Sequence, residues 1–292
     1  MMAANSLPEL SGALAATPPD AVARRAGRAL EQYQAARERS GLEQPDAGHR
    51  QVAHALFGAS EFAARFAQQY PAELTALIDS GRLAAPASEA ALEDELRARL
   101  DLAKREEPPD DAALMQALRR FRRAQSVRIA WRDLAGLASI DEMLREQSAL
   151  ADACIRVALE VLTWRARRRF GTPRDAEGAA QSLLVLGMGK LGGRELNFSS
   201  DIDLVFVFGS RGETDGPPAL DNADFFTRLG QELIRVLNEA TVDGFAFRVD
   251  MRLRPFGASG PLVVHEAQLE QYLLTQAREW ERFALVKARP IT

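Results

Sequence analysis

Cysteine is nearly absent: one thiol, Cys154, stands in 292 residues. A lone thiol excludes an intrachain disulfide and fits a cytoplasmic setting, where structural disulfides are rare. Cys154 lies in an apolar helical pattern and is expected as a buried packing residue. Histidine is equally scarce, with His49, His54 and His265 only. No pair among them has the setting of a zinc site, and His49 and His54 read as surface positions of a helix. No apolar run approaches the roughly 20 residues that cross a bilayer. The N-terminus lacks the basic-then-apolar order of a secretion signal, so no membrane partner is expected. An excess of positive charge is also missing. The net charge of −4 argues against general nucleic-acid binding. What is present, 47% apolar and 27% charged residues, suffices for a buried core in one or two domains.

The chain reads as α+β in three parts. Residues 1–19 are rich in Ala, Pro and Ser and are expected as a disordered tail. Residues 20–170 carry helix signals and no strand signal. Asp20 opens a helix to about Ser40, a second covers 50–57, Ser60 caps a third, and Pro71 opens a fourth. Ser88 caps a helix to about Lys104. Asp111 caps another to about Leu137, and the last runs from Ile140 to Arg169. The 111–137 helix carries Arg119, Arg120, Arg122, Arg123, Arg128 and Arg132. Pairing with acids of neighbouring helices accounts for them; contact with phosphates or an acidic partner is the functional alternative. Arg165, Arg167, Arg168 and Arg169 close their helix, where they complement its dipole. Gly171 to Ala180 reads as a linker, and residues 180–292 as an α/β domain.

The chemistry gathers in residues 183–208. Two apolar runs, Leu183–Leu186 and Leu204–Phe208, bracket a glycine-rich segment containing Lys190. This pattern predicts strand, glycine turn, short helix, turn, strand. Asp201 and Asp203 stand two apart at the start of the second strand, so both carboxylates fall on one face. Two carboxylates this close repel, and a hard divalent cation such as Mg²⁺ relieves the conflict. Asp250 is a third acid, in an expected strand Phe245–Leu253 whose apolar alternation would bury it. Arg252 and Arg254 share its face at i+2 and i+4 and suit a phosphate-bearing ligand. Three acids from two strands can hold two Mg²⁺ ions that clamp an in-line displacement at phosphorus. The backbone around Gly187 and Gly189, Lys190, and the hydroxyls of Ser199 and Ser200 would hold phosphate oxygens. Gly187-Met-Gly-Lys-Leu-Gly192 also fits G-x-G-x-x-G, but the acids come too early for a dinucleotide fingerprint. A P-loop is excluded because Leu191 follows Lys190.

The segment from Gly187 to Leu204 resembles the signature of the glutamine synthetase adenylyltransferases, members of the DNA polymerase beta-like nucleotidyltransferase superfamily. The resemblance continues in Asp221–Gln231, Arg248–Gly257 and Trp280–Arg289, and upstream in Leu118–Arg123 and Arg128–Trp131. It implies a two-headed enzyme. One head moves AMP from ATP to a tyrosine of glutamine synthetase; the other removes it by phosphorolysis, giving ADP. The helical segment before this signature resembles the deadenylylating head. The resemblance makes Asp201, Asp203 and Asp250 metal ligands. It implies Mg²⁺ as cofactor, glutamine synthetase as protein substrate, a PII-type signal protein as partner and glutamine as effector. The family is about three times longer, so the chain is expected to be an N-terminal fragment. Three readings stay open beside it: a uridylyltransferase of nitrogen signalling, a small-molecule nucleotidyltransferase, and a non-catalytic binding or regulatory module.

Overall fold

A computed structural model describes residues 20–292; the tail expected over 1–19 lies outside them. Among the described residues, seven α-helices precede the first strand: α1 (Asp20–Arg39), α2 (Ala47–Ala59), α3 (Glu61–Gln69), α4 (Pro71–Asp79), α5 (Glu89–Arg99), α6 (Asp111–Leu134) and α7 (Ile140–Phe170). The chain divides into two units. One comprises the chain to Ala87 with Arg123–Glu146; the other comprises Ser88–Arg122 with Gln147–Thr292.

The first unit is all helical. Asp46 and Ser60 accept the His49 and Ala63 N–H groups at the starts of α2 and α3, and Pro71 occupies the first turn of α4. Tyr33, Leu56, Phe57, Phe66, Leu74 and Trp131 build its core. His49 is buried, not a surface residue as its sequence setting suggested. Its ring sits 2.9 Å from the Tyr33 hydroxyl and 3.0 Å from Asp79. Burial lowers its pKa although Asp79 opposes this. Arg128 and Arg132 are also buried and share Glu146, with Glu142 2.7 Å from Arg132. These two arginines pair with acids of the neighbouring helix, as expected; Arg119 of the same helix does not.

The second unit is α+β. Helix α5 stops at Arg99, short of the expected Lys104, because Asp101 takes a left-handed conformation (φ 52°) before a 3₁₀ turn, Leu102–Lys104. Asp110 rather than Asp111 caps α6, accepting the Ala113 N–H at 2.8 Å. Asp111 instead pairs with Arg165 and Arg235. A five-stranded mixed sheet follows. Strand β1 (Leu183–Gly187) leads through the short helix α8 (Gly189–Gly192) to β2 (Ile202–Phe208), which pairs with it antiparallel. Helix α9 (Asn222–Asn238) then lays its apolar stripe on the sheet. Gly230 is a helix-interior glycine, normally costing about 1 kcal/mol. A Cβ there would stand 2.9 Å from the Phe206 ring, so the close approach of α9 to β2 requires it.

One edge of β2 is shared by two parallel partners. Strand β3 (Val249–Asp250) pairs with its start and β4 (Val263–His265) with its end. The strand expected over Phe245–Leu253 is thus only two residues long, because the chain turns away after Asp250 to reach β4. Helices α10 (Glu266–Thr275) and α11 (Glu279–Ala284) follow. An unforeseen strand β5 (Arg289–Pro290) completes the far edge against β1. Cys154 is fully buried in α7, and burial pushes its thiol up to about 12, which makes it inert. Among the described residues no helix is long and apolar enough to cross a membrane.

Arg119 joins the end of α9 to the turn that leads toward β3. Its guanidinium is fully buried and donates to the carbonyls of Gly244 (2.7 Å), Val236 (3.0 Å), Met115 (3.0 Å) and Glu239. Two of these are among the orphan carbonyls that end α9. Arg119→Ala is expected to lower unfolding free energy by about 3–5 kcal/mol, through stranded buried carbonyls and lost packing. Urea denaturation measures this; a loss below about 1 kcal/mol would show that water replaces the guanidinium.

Candidate active site

The acids singled out in the sequence meet at the start of β2. Asp203 lies on β2 and Asp250 on β3, and the parallel register sets them directly opposite each other. Asp201 immediately precedes β2 and is exposed. Ile202 fixes the junction, its N–H bonding to the Arg248 carbonyl at 2.9 Å. The glycine turn lies against the same point. Gly189 has φ +52°, and a Cβ on it would stand 2.8 Å from the Asp203 Oδ2. Only glycine meets both conditions without strain. Gly187 is held between β2 and β5, paired with Leu204 and Arg289. Lys190 extends from α8 toward Ser200, 3.4 Å from its hydroxyl.

Asn197, which the sequence reading passed over, organises the turn between α8 and β2. Its side-chain oxygen accepts from the Ser200 hydroxyl at 2.7 Å and the Ser199 N–H at 3.2 Å. Arg248 was also missed. It binds the Asp201 carboxylate and, at 2.8 Å, the Ser199 carbonyl. The alternation that brought forward i+2 and i+4 from Asp250 admits i−2 equally, so a signal for Arg248 existed.

Arg252 and Arg254 stand differently from the strand-face expectation, because β3 ends at Asp250. Arg252 folds back onto Asp250, donating from Nε at 2.7 Å and from its backbone N–H at 2.8 Å. Its side chain remains 82% exposed, while that of Asp250 is only 13% exposed. Arg254 donates to the carbonyls of Met251 (2.8 Å), Ala258 (3.2 Å) and Gly260 (3.4 Å), closing the loop that joins β3 to β4.

The electrostatics separate the acids. Burial raises the pKa of Asp203, and the charges of Asp250 and Asp201 raise it further. Hydrogen bonds from Arg252 hold Asp250 below the usual carboxylate range. Among the described residues, no group of three or more His, Cys, Asp or Glu converges into a cage for a metal ion. Asp201 and Asp250 are instead each turned onto an arginine. The donor set nevertheless fits a hard cation: carboxylate oxygens at one strand end, with Asp203 carrying a repulsion that a cation would relieve. The surface is open. A cavity of about 850 Å³ beside Trp164, Leu183 and Phe226 contains none of these acids.

The chain is similar to known proteins. The family model for glutamate-ammonia ligase adenylyltransferase matches residues 50–292. A bifunctional glutamine synthetase adenylyltransferase/adenylyl-removing enzyme of Thioalkalivibrio sulfidiphilus is 52% identical over 236 residues, covering 81% of this chain and 24% of the relative. The enzyme of that name from Pseudomonas aeruginosa is 48% identical over 295 residues, covering 98% of this chain and 29% of the relative. The one from Shewanella oneidensis is 57% identical over 175 residues, 60% of this chain and 18% of the relative. The chain therefore spans under a third of the length of these relatives.

The raised pKa of Asp203 has a measurable consequence. In the unfolded chain this carboxyl titrates near its ordinary 3.8. The folded state holds the proton more tightly, so the ionised group subtracts stability as pH rises through the folded value. Without divalent cations, Asp203→Asn is expected to raise the melting temperature at pH 7. The gain should shrink as pH falls through the folded value and be absent below the ordinary carboxylate value. Calorimetry from pH 3 to 8 checks the sign.

Proposed function

The chain belongs to the glutamate-ammonia ligase adenylyltransferase family, and from that premise we propose that its second unit removes AMP from adenylyl-tyrosine of glutamine synthetase by phosphorolysis. The observation that carries this reading is the parallel register of Asp203 against Asp250, with Gly189 pressed on Asp203. A mixed sheet with a glycine turn between its first two strands, and its third acid on the neighbouring strand, supports a nucleotidyltransferase fold of the DNA polymerase beta-like kind. The open position of Asp201 and Arg252 suits a protein substrate, which must bring a modified side chain to the acids from outside.

In the proposed reaction an oxygen of inorganic phosphate forms a bond to the α-phosphorus. The bond from that phosphorus to the tyrosyl oxygen breaks, the tyrosyl oxygen gains a proton, and ADP results. Asp201, Asp203 and Asp250 would hold Mg²⁺, which when bound supplies charge neutralisation for the phosphoryl oxygens. Gly189 to Leu191 stand in the first turn of α8, where N–H groups lack intrahelical partners and can donate to phosphate oxygens. Lys190 and Ser200 lie beside that turn, and Arg252 offers a guanidinium at the acids. Catalysis of this kind rests on positioning and charge. The longer relatives carry both activities in their name. Adenylylation from ATP is proposed for a protein of the relatives' length, in regulation of nitrogen assimilation. A PII-type signal protein and glutamine are the proposed effectors, and the setting is cytoplasmic.

Phosphate-dependent ADP release from adenylylated glutamine synthetase with Mg²⁺ tests the proposal. The parent chain is expected to release ADP, and the Asp201→Asn, Asp203→Asn double variant at least about a hundredfold less. Equal rates from parent and double variant would remove the acids from the mechanism. A folded parent that binds Mg²⁺ and ADP but releases none would assign the activity to the longer relatives alone.

A further inference from the structure

Two of the three acids do not face solvent alone. Asp201 is held by Arg248 and Asp250 by Arg252, while among the described residues Asp203 has no ion-pair partner. The two arginines come from either side of β3. Each guanidinium occupies space that a cation bound to its carboxylate would need. The Arg252 head group has no backbone anchor, and that of Arg248 has one, the Ser199 carbonyl at 2.8 Å, against the three or four carbonyls that hold Arg254 and Arg119. Arg248 is 53% exposed and rests beside Phe245, its guanidinium carbon 5.8 Å from the ring centre. Arg252 is 82% exposed, with contacts confined to Asp250. Exposed pairs of this kind cost little to break.

We infer that Arg248 and Arg252 are exchangeable counter-ions: they neutralise Asp201 and Asp250 before a divalent cation binds, and are released by it to grip substrate phosphate. This rests on the metal reading of the acids given above. It adds Arg248 to the site and gives both arginines a role in the order of events. An arginine bound to a carboxylate competes with the cation; an arginine freed beside a cation site presents a fork suited to phosphate oxygens. The two functions pull measurable affinities in opposite directions. Arg254, whose guanidinium is taken by three loop carbonyls, has no such role and serves as the internal contrast.

The test uses the full chain and four variants, Arg248→Gln, Arg252→Gln, Arg248→Lys and Asp203→Asn, with circular dichroism melts to confirm folding. Mn²⁺ alone is titrated and read by electron paramagnetic resonance. ADP is then titrated in saturating Mn²⁺ by calorimetry. Arg248→Gln and Arg252→Gln are each expected to bind Mn²⁺ roughly threefold or more tighter and to bind ADP roughly tenfold weaker. Arg248→Lys should keep Mn²⁺ affinity near the parent value while still losing ADP affinity, since it retains charge without the fork. A merely structural role predicts losses in both titrations. Mn²⁺ binding that is unchanged or weaker in both glutamine variants overturns the inference while leaving the metal reading intact, provided Asp203→Asn abolishes binding. Mn²⁺ binding insensitive to Asp203→Asn, or absent from parent and variants alike, overturns both.

Discussion

Repulsion between carboxylates at one strand end is the constraint on which the rest of this unit depends. Asp203 and Asp250 meet because β2 and β3 run parallel in fixed register. A parallel pair cannot be closed by a hairpin; it needs a crossover. Helix α9 supplies it, and its close seat on β2 requires Gly230 where Phe206 passes. Arg119 ties the end of that helix to the chain leading into β3. Elements far from the acids in sequence thus serve to hold two like charges together, an arrangement stable only with compensating positive charge.

Arginine is used in three different ways in this chain, and only the last of them places positive charge on these acids. Arg128 and Arg132 sit buried on a shared glutamate. Arg119 and Arg254 spend their donors on backbone carbonyls. Arg248 and Arg252 stay at the surface on the acids themselves. The planar fork makes all three possible, since it satisfies several oxygens at once. Lysine at these positions would deliver the charge without the geometry.

Much of this was legible in the sequence. The order strand, glycine turn, short helix, strand over 183–208 follows from two apolar runs and their glycines, and the helices before it follow from caps and breakers. Asp201 and Asp203 were visible as a repelling pair at a strand start, and Asp250 because the apolar alternation around it would bury an unpaired acid. What escaped was set by tertiary contact. The length of β3 depends on β4 claiming the other half of the same edge, which no local pattern announces. Asp110 displaced Asp111 as a cap because Asp111 was needed by two arginines. His49 looked like a surface residue because its partners, Tyr33 and Asp79, come from other helices. Strand β5 is too short to carry a period.

The shared edge of β2 bears on how the site is built in time. Asp203 reaches Asp250 only after the chain has travelled through α9 and back, a non-local closure of the kind that slows folding. The antiparallel pairing of β1 and β2 is more local and can form first, bringing the glycine turn to Asp203. The acid pair is therefore expected among the later contacts to form. A chain emerging in order would have its glycine turn set against Asp203 before Asp250 arrived opposite it, so the two like charges would meet only when the crossover closed.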